Sequence, residues 1–276
     1  MAYSRRHADT AAAFSEIAAD YDAAYGPQGN AVMTWMRDES LALLAATFPP
    51  GSRLLELGCG TGEETVALAL AGREVLATDI APRMAAIARA KAVRAGMGDR
   101  VRVVALPASD IAALRPHQPF DGGYASFGGL NCEPDLPAVG AALAKLIRPG
   151  GVFVTSIMGR TCLFEILWYL AHLRPRRAFR RLGGGWRLVP VAGEGAREVT
   201  VPTRYLTTRQ VVAAFPAFTV EQILALPLLL PPPYADSLYR RHADAFARLA
   251  RYDRRLRDHW PWRELGDHTV LVLQRR

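Results

Sequence analysis

The densest chemical signal in this chain is the run Leu54-Leu-Glu-Leu-Gly-Cys-Gly-Thr-Gly62. An apolar run entering Gly58, Gly60 and Gly62 reads as a strand followed by a glycine turn, and residues 63–71 behind it read as a helix. Glycine is required where a bulky ligand lies against the backbone, because a Cβ there would collide with it. Spacing separates the candidate ligands. A dinucleotide turn, G-x-G-x-x-G, would need glycine at 63, where this chain has Glu63. The chain also lacks the G-x-x-x-x-G-K-S/T element of a nucleoside triphosphate site. Any Rossmann-like domain carries a glycine turn after its first strand, so this feature by itself gives the fold and leaves the ligand open.

Other reactive side chains are sparse. Cys59, Cys132 and Cys162 stand at no metal spacing, and the six histidines show no H-x-x-x-H pattern, so no metal site is expected. Three scattered cysteines also exclude a disulfide framework and fit a reducing cytoplasm. His7, His242, His268 and Tyr25 are able to take a proton, but none stands in a diagnostic pair, and the catalytic residues stay unknown from sequence. Asn131 suits an acceptor contact and a turn equally well.

The elements that must position these groups follow from periodicity. Residues 8–24 read as one amphipathic helix carrying Phe14, Ile17 and Tyr21 on a face, and residues 31–47 as a second. Strands at 53–57, 74–78, 101–105, 121–126 and 152–158 then alternate with helices at 63–71, 82–96 and 136–147. Such alternation means βαβ units and a mostly parallel sheet. Beyond residue 159 the pattern loosens to a helix over 163–173, a short helix over 207–215, a strand at 218–226, a basic helix over 235–258 and a last strand at 270–273. The fold class is α/β: a Rossmann-like, seven-stranded, mostly parallel sheet whose last strand is antiparallel beside the fifth. The chain divides into N-terminal lid helices (1–50), a ligand-binding core (51–158) and a completion of the sheet with helical insertions (159–276), all one continuous domain.

The Glu56–Gly62 run resembles the first motif of class I S-adenosylmethionine-dependent methyltransferases of small-molecule type. Further elements arrive in that family's order across residues 54–158. Asp79 ends the second strand 17 residues after Gly62, Asp110-Ile111 follows the third, the run from Phe120 to Asn131 spans the fourth, and Leu146-Ile-Arg-Pro-Gly-Gly151 precedes the fifth. The segment from Ala13 to Asp22 is similar to the family's lid helix. The resemblance implies S-adenosyl-L-methionine as cofactor, held by Gly58, Cys59, Gly60 and Gly62. It implies that Asp79 accepts from the ribose diol and Glu56 faces the amino end. Asp110 would accept from the adenine while Ile80, Met84 and Ile111 sandwich it, Ser126 would meet the methionyl part, and Tyr21 would close from the lid. Pro231-Pro-Pro-Tyr234 resembles an element of adenine methyltransferases, but that element follows the fourth strand, so this one reads as a turn.

Charge bears on the acceptor. The formal net charge of +8 splits into −2 over residues 1–158 and +10 over residues 159–276. A basic C-terminal part raises nucleic acid as an acceptor, yet no recognition module accompanies it. Residues 163–181 mix aromatic and apolar residues with arginines, which raises a membrane-surface lipid methyltransferase. The favoured expectation is a cytoplasmic enzyme of secondary metabolism with a small hydrophobic or amphipathic acceptor, a monomer or homodimer. In it Leu163, Ile166, Leu167 and Leu170, and likewise Phe246, Leu249 and Leu256, are buried while Arg240, Arg248, Arg251 and Arg255 face water.

Overall fold

The computed structural model describes residues 4–191 and 199–276. Three helices open the chain, α1 (Arg5–Ile17), α2 (Tyr21–Tyr25) and α3 (Ala31–Thr47). Alternation then gives β1 (Arg53–Leu57), α4 (Glu63–Leu70), β2 (Glu74–Asp79), α5 (Pro82–Arg94), β3 (Val101–Ala105), β4 (Phe120–Ala125), α6 (Leu136–Leu146) and β5 (Ile147–Met158). The C-terminal part holds α7 (Leu163–Ala171), α8 (Pro175–Ala178), β6 (Trp186–Val191), β7 (Val199–Arg204), α9 (Thr208–Ala214) and β8 (Phe218–Leu226). It closes with α10 (Asp236–Arg241), α11 (Ala243–Leu256) and β9 (His268–Arg275).

Seven strands form one sheet in the order β3-β2-β1-β4-β5-β9-β8, with β1 to β5 parallel and β9 antiparallel to both its neighbours. This is the Rossmann-like arrangement that the alternation implied. Side chains leave β1 on opposite faces in turn. Leu54 joins the core beneath α3, α4 and α5, while Leu55 and Leu57 join the core beneath α6 and α9. A third apolar cluster ties α1 (Ala13, Ile17) to Met84 of α5 and to Val199 and Val201 of β7.

The direction of β9 matters for the site. Parallel strands all end at one edge of the sheet, where ligands bind in such folds. Because β9 runs against β5, it begins at that same edge, with His268 opposite Met158.

Four expectations change. Residues 8–24 form two helices, because Ile17 and Ala18, each 1% exposed, dock into the third cluster and end α1 there. The basic helix over 235–258 is likewise broken, at His242. Strands β6 and β7 pair as a separate antiparallel ribbon that the sequence pattern hid. Pro190 and Pro202 argue against strands, yet both are tolerated where each strand has a free edge. Finally, Leu167 and Leu170 of α7 are exposed while Glu165 is buried, because Arg180 and Arg181 draw that carboxylate inward. On α11 Phe246 is buried, Leu249 is exposed and Leu256 half-buried, with Arg248, Arg251 and Arg255 exposed as expected.

Candidate functional site

The turn after β1 is held from below and from its neighbour strand. The backbone N–H groups of Gly58 and Cys59 donate to the Thr78 carbonyl at 2.8 and 2.9 Å. Gly58, Gly60 and Gly62 have φ of +73°, +54° and +84°, the left-handed region where glycine carries no penalty. Their roles differ. A Cβ on Gly60 would meet nothing within 4 Å, so its open side faces the cavity, whereas one on Gly62 would strike the Ala88 Cβ at 2.8 Å. Gly60 leaves room for a ligand; Gly62 lets α4 pack on α5.

Asp79, at the end of β2, organises the rim. One carboxylate oxygen accepts from the Gly60 N–H and the other from the Ala81 N–H, both at 2.8 Å. Burial pushes its pKa up to about 6 against these two bonds, and each oxygen keeps a lone pair for a further donor.

One cavity of about 320 Å³ opens over this turn. Ile80, Met84, Leu106 and Ala108 give it an apolar wall, and Phe14 of α1 and Tyr21 and Tyr25 of α2 line it from the N-terminal helices. The Tyr21 and Tyr25 rings lie 4.9 Å apart, one turn apart on α2. Burial, with Tyr25 adding to it, holds the Tyr21 phenol well above its usual range. Polar bonds fasten α1 and α2. Lys91 of α5 bridges Asp22 (2.8 Å) and Glu63, and Thr61 donates to Asp22. His7 of α1 meets Glu133 at 3.1 Å, and Glu133 also accepts from the Ser109 N–H.

His268 and Phe127 line the same cavity. Phe127 adopts φ +50°, an uncommon backbone conformation fixed by donation of its N–H to the Ser156 hydroxyl at 2.6 Å. Its ring meets His268 edge-on at 6.2 Å. His268, 5% exposed, bonds through Nδ1 to Asp267 at 3.0 Å. Arg181 grips Asp267 in turn, through its side chain at 2.6 Å and its carbonyl at 3.0 Å. Burial alone would raise the Asp267 carboxyl, but Arg181 and then His268 outweigh it and hold it well below the usual carboxylate range. Tyr234, from the Pro-Pro-Pro-Tyr run, lines the cavity and donates to Glu165 at 2.8 Å. The arrangement places a ligand cradle and a carboxylate-supported histidine on the wall of one cavity.

Residues 54–151 match the family described as Methyltransferase domain. The Ubiquinone biosynthesis O-methyltransferase of Xylella fastidiosa (strain 9a5c) is 37% identical over 111 residues, which are 40% of this chain and 44% of that protein. The chain thus spans under half the length of this curated relative. Solved structures extend the likeness in fold to nearly the whole chain. The CcbJ methyltransferase from Streptomyces caelestis superposes with a TM-score of 0.63 at 20% identity, covering 97% of this chain and 99% of that one. The N-methyltransferase NodS from Bradyrhizobium japonicum WM9, in complex with S-adenosyl-L-homocysteine, gives 0.58 at 15%, covering 97% and 98%.

Of the residues expected to hold the ligand, the structure brings Tyr21, Gly58, Cys59, Gly60, Asp79, Ile80, Met84 and Ser126 to the cavity wall. Four expected residues stand elsewhere. Glu56 shares the α4-facing side of β1 with Leu54, so it lies behind the turn, 2% exposed and bonded to Thr65. Burial pushes its pKa up to about 8 against that bond. Gly62 packs on Ala88, as above. Asp110 and Ile111 sit in a short 3-10 helix (Ala108–Ala113) that carries Ile111 into the core beneath α6, and Leu106 and Ala108 take the wall instead. Asn131 is a staple: its amide donates to the Met158 and Arg204 carbonyls and its oxygen accepts from the Met158 N–H. Of the groups able to take a proton, His7, Tyr25 and His268 reach the cavity, and His242 is an exposed residue between α10 and α11. Sequence reasoning missed Arg37, Phe127, Glu133, Arg181 and Asp267 on the wall, for which no local pattern exists.

Proposed function

We propose that this chain is an S-adenosylmethionine-dependent methyltransferase acting on a small hydrophobic or amphipathic acceptor that carries a hydroxyl group. The observation that carries this reading is the single cavity running from Gly60 and Asp79 to His268. The residues present fit the cofactor. Gly60 leaves the cradle open, Asp79 retains acceptor capacity at the strand end, and Ile80, Met84, Leu106 and Ala108 offer a flat apolar wall for a base. NodS, of similar fold, was solved with the demethylated cofactor.

When bound, S-adenosylmethionine supplies a methyl already activated on sulfur. The protein's share is therefore alignment, exclusion of water and handling of the acceptor's proton. The lid helices close one side, with Tyr21 and Tyr25 on the wall. His268 is placed to take the proton. An ionised Asp267 can only accept, so it fixes the Nδ1–H tautomer and leaves Nε2 as the base; it then steadies the imidazolium. The relatives named as O-methyltransferases support a hydroxyl as the attacking group. An apolar wall supports a phenolic or lipid-like acceptor of small-molecule biosynthesis.

Calorimetric titration with S-adenosylhomocysteine, followed by labelled-methyl transfer to a panel of phenols, tests this reading. Binding by the parent protein and its loss in Gly60→Val are expected. His268→Ala should keep that binding and lose transfer by about 10²- to 10⁴-fold. Absence of binding by the parent protein overturns the assignment; transfer by His268→Ala at the parent rate overturns the base.

A further inference from the structure

Helix α7 is built the reverse of an ordinary surface helix. Its one acidic residue, Glu165, is 1% exposed, whereas Leu167, Trp168 and Leu170 are 59%, 39% and 40% exposed. Further large apolar side chains are exposed just past the helix. Leu173, in the turn before α8, is 90% exposed, and Phe179 and Leu182, behind α8, are 46% and 50% exposed. Single exposed leucines are ordinary, but large apolar side chains recurring in water over residues 167–182 mark an interaction surface. The cause lies beneath. Arg180, Arg181 and Tyr234 all engage the Glu165 carboxylate, which turns that face of α7 to the cavity wall and its leucines outward.

Charge on the same stretch selects the partner. Arg174, Arg176 and Arg177 are exposed around Leu173. Between Leu163 and Val191 the only acidic residue is Glu165, which is buried and committed to two arginines. A second copy of this chain, docked by the same patch, would set these cations against one another across a two-fold axis. An anionic lipid surface accepts both kinds of side chain. Leucine and tryptophan settle at the boundary between headgroups and acyl chains, and arginine settles on phosphates. Among the described residues no helix is long and apolar enough to cross a membrane, so the contact is with one face of a bilayer.

We propose that residues 163–182 dock this protein on an anionic lipid bilayer, with the outward leucines and Trp168 of α7 and Leu173 at the headgroup boundary and Arg174, Arg176 and Arg177 on the phosphates. The proposal stands on this surface and is independent of methyl transfer. Its consequence is positional. The α7–α8 segment is followed directly by Arg180 and Arg181 of the cavity wall, so docking would hold that part of the wall close to the lipid.

Co-sedimentation with vesicles of phosphatidylcholine alone, and of phosphatidylcholine and phosphatidylglycerol at about three to one, tests it at moderate salt. Binding to the anionic vesicles only is expected. Replacing Arg174, Arg176 and Arg177 together by Gln should weaken it roughly a hundredfold, about fivefold for each charge. Leu173→Asp should abolish it while circular dichroism and S-adenosylhomocysteine binding stay at parent values. Equal partition to both vesicles, no partition, or unaltered binding by the Gln and Asp variants overturns the proposal. So does a concentration-dependent dimer in analytical ultracentrifugation that Leu173→Asp dissociates, which would assign the surface to a second copy.

Discussion

Asp79 performs two jobs with one carboxylate. It ties Gly60 and Ala81 into the rim through their N–H groups, and it keeps lone pairs for a ligand's hydroxyls. Asp79→Ala should therefore lower S-adenosylhomocysteine affinity about ten- to a hundredfold, the worth of a charge-assisted pair of hydrogen bonds. Calorimetry reads this directly, with a melting curve to confirm that the rim still folds. Glu56 makes a different prediction, because it is buried behind the turn and its pKa stands near 8 against an ordinary 4.5. Between those values the folded state binds more protons than the unfolded one. Stability must then fall as pH rises from about 5 to 8. Glu56→Gln stays neutral throughout, so it should remove up to about 4 kcal/mol of that fall. Urea midpoints at pH 5 and pH 8 for the two proteins measure it, and a parallel fall in both would disprove the protonated Glu56.

Among the elements, α1 and α2 are the ones whose fastening is most clearly polar. Helix α1 packs through Ala13 and Ile17, whereas α2 is at most half-buried, with Tyr21 and Tyr25 against the apolar clusters, and is tied down through Asp22, which meets Lys91 and Thr61. Partly exposed ion pairs add little to global stability, and Lys91→Met should change it by no more than about 1 kcal/mol. Local closure depends on the bridge more strongly. In Lys91→Met, amide exchange over residues 21–25 should speed up while α5 and the sheet stay protected, and bound S-adenosylhomocysteine should leave several-fold faster. Hydrogen-exchange mass spectrometry and stopped-flow displacement report the two effects. The break between α1 and α2 belongs to the same scale: apolar spacing runs through residues 8–24 without interruption, and docking of Ile17 and Ala18 ends the helix.

For the whole molecule the charge asymmetry is the property to explain. The net +10 beyond residue 158 includes buried arginines already paired inside, such as Arg181, and exposed ones spread over α7–α8 and α11. Exposed arginines on separate elements, interrupted by leucine and tryptophan, suit phosphates at a lipid surface better than a continuous backbone track. RNA and duplex DNA should accordingly bind weakly, with no steep loss between about 50 and 200 mM salt. Fluorescence anisotropy with labelled oligonucleotides checks this; sub-micromolar binding with a steep salt slope would restore a nucleic-acid acceptor.

The sequence by itself determined what nearest neighbours along the chain decide. The order of strands and helices through β5, the glycine turn at Gly58–Gly62 and the place of Asp79 at a strand end all follow from local periodicity and from backbone conformations that only certain residues adopt. The antiparallel last strand is what the family resemblance implied, and the structure places it between β5 and β8. Tertiary structure alone decided which side chains meet. His7 and Glu133 are 126 residues apart, and Arg181 and Asp267 are 86 apart; no periodicity links such pairs. Glu56 and Ile111 left the cavity because strand alternation and a short 3-10 helix set their direction, and the direction depends on the layer packed above them. Glu165 turned inward, and its leucines outward, because a paired charge in a closed site outweighed the apolar pattern of a single helix.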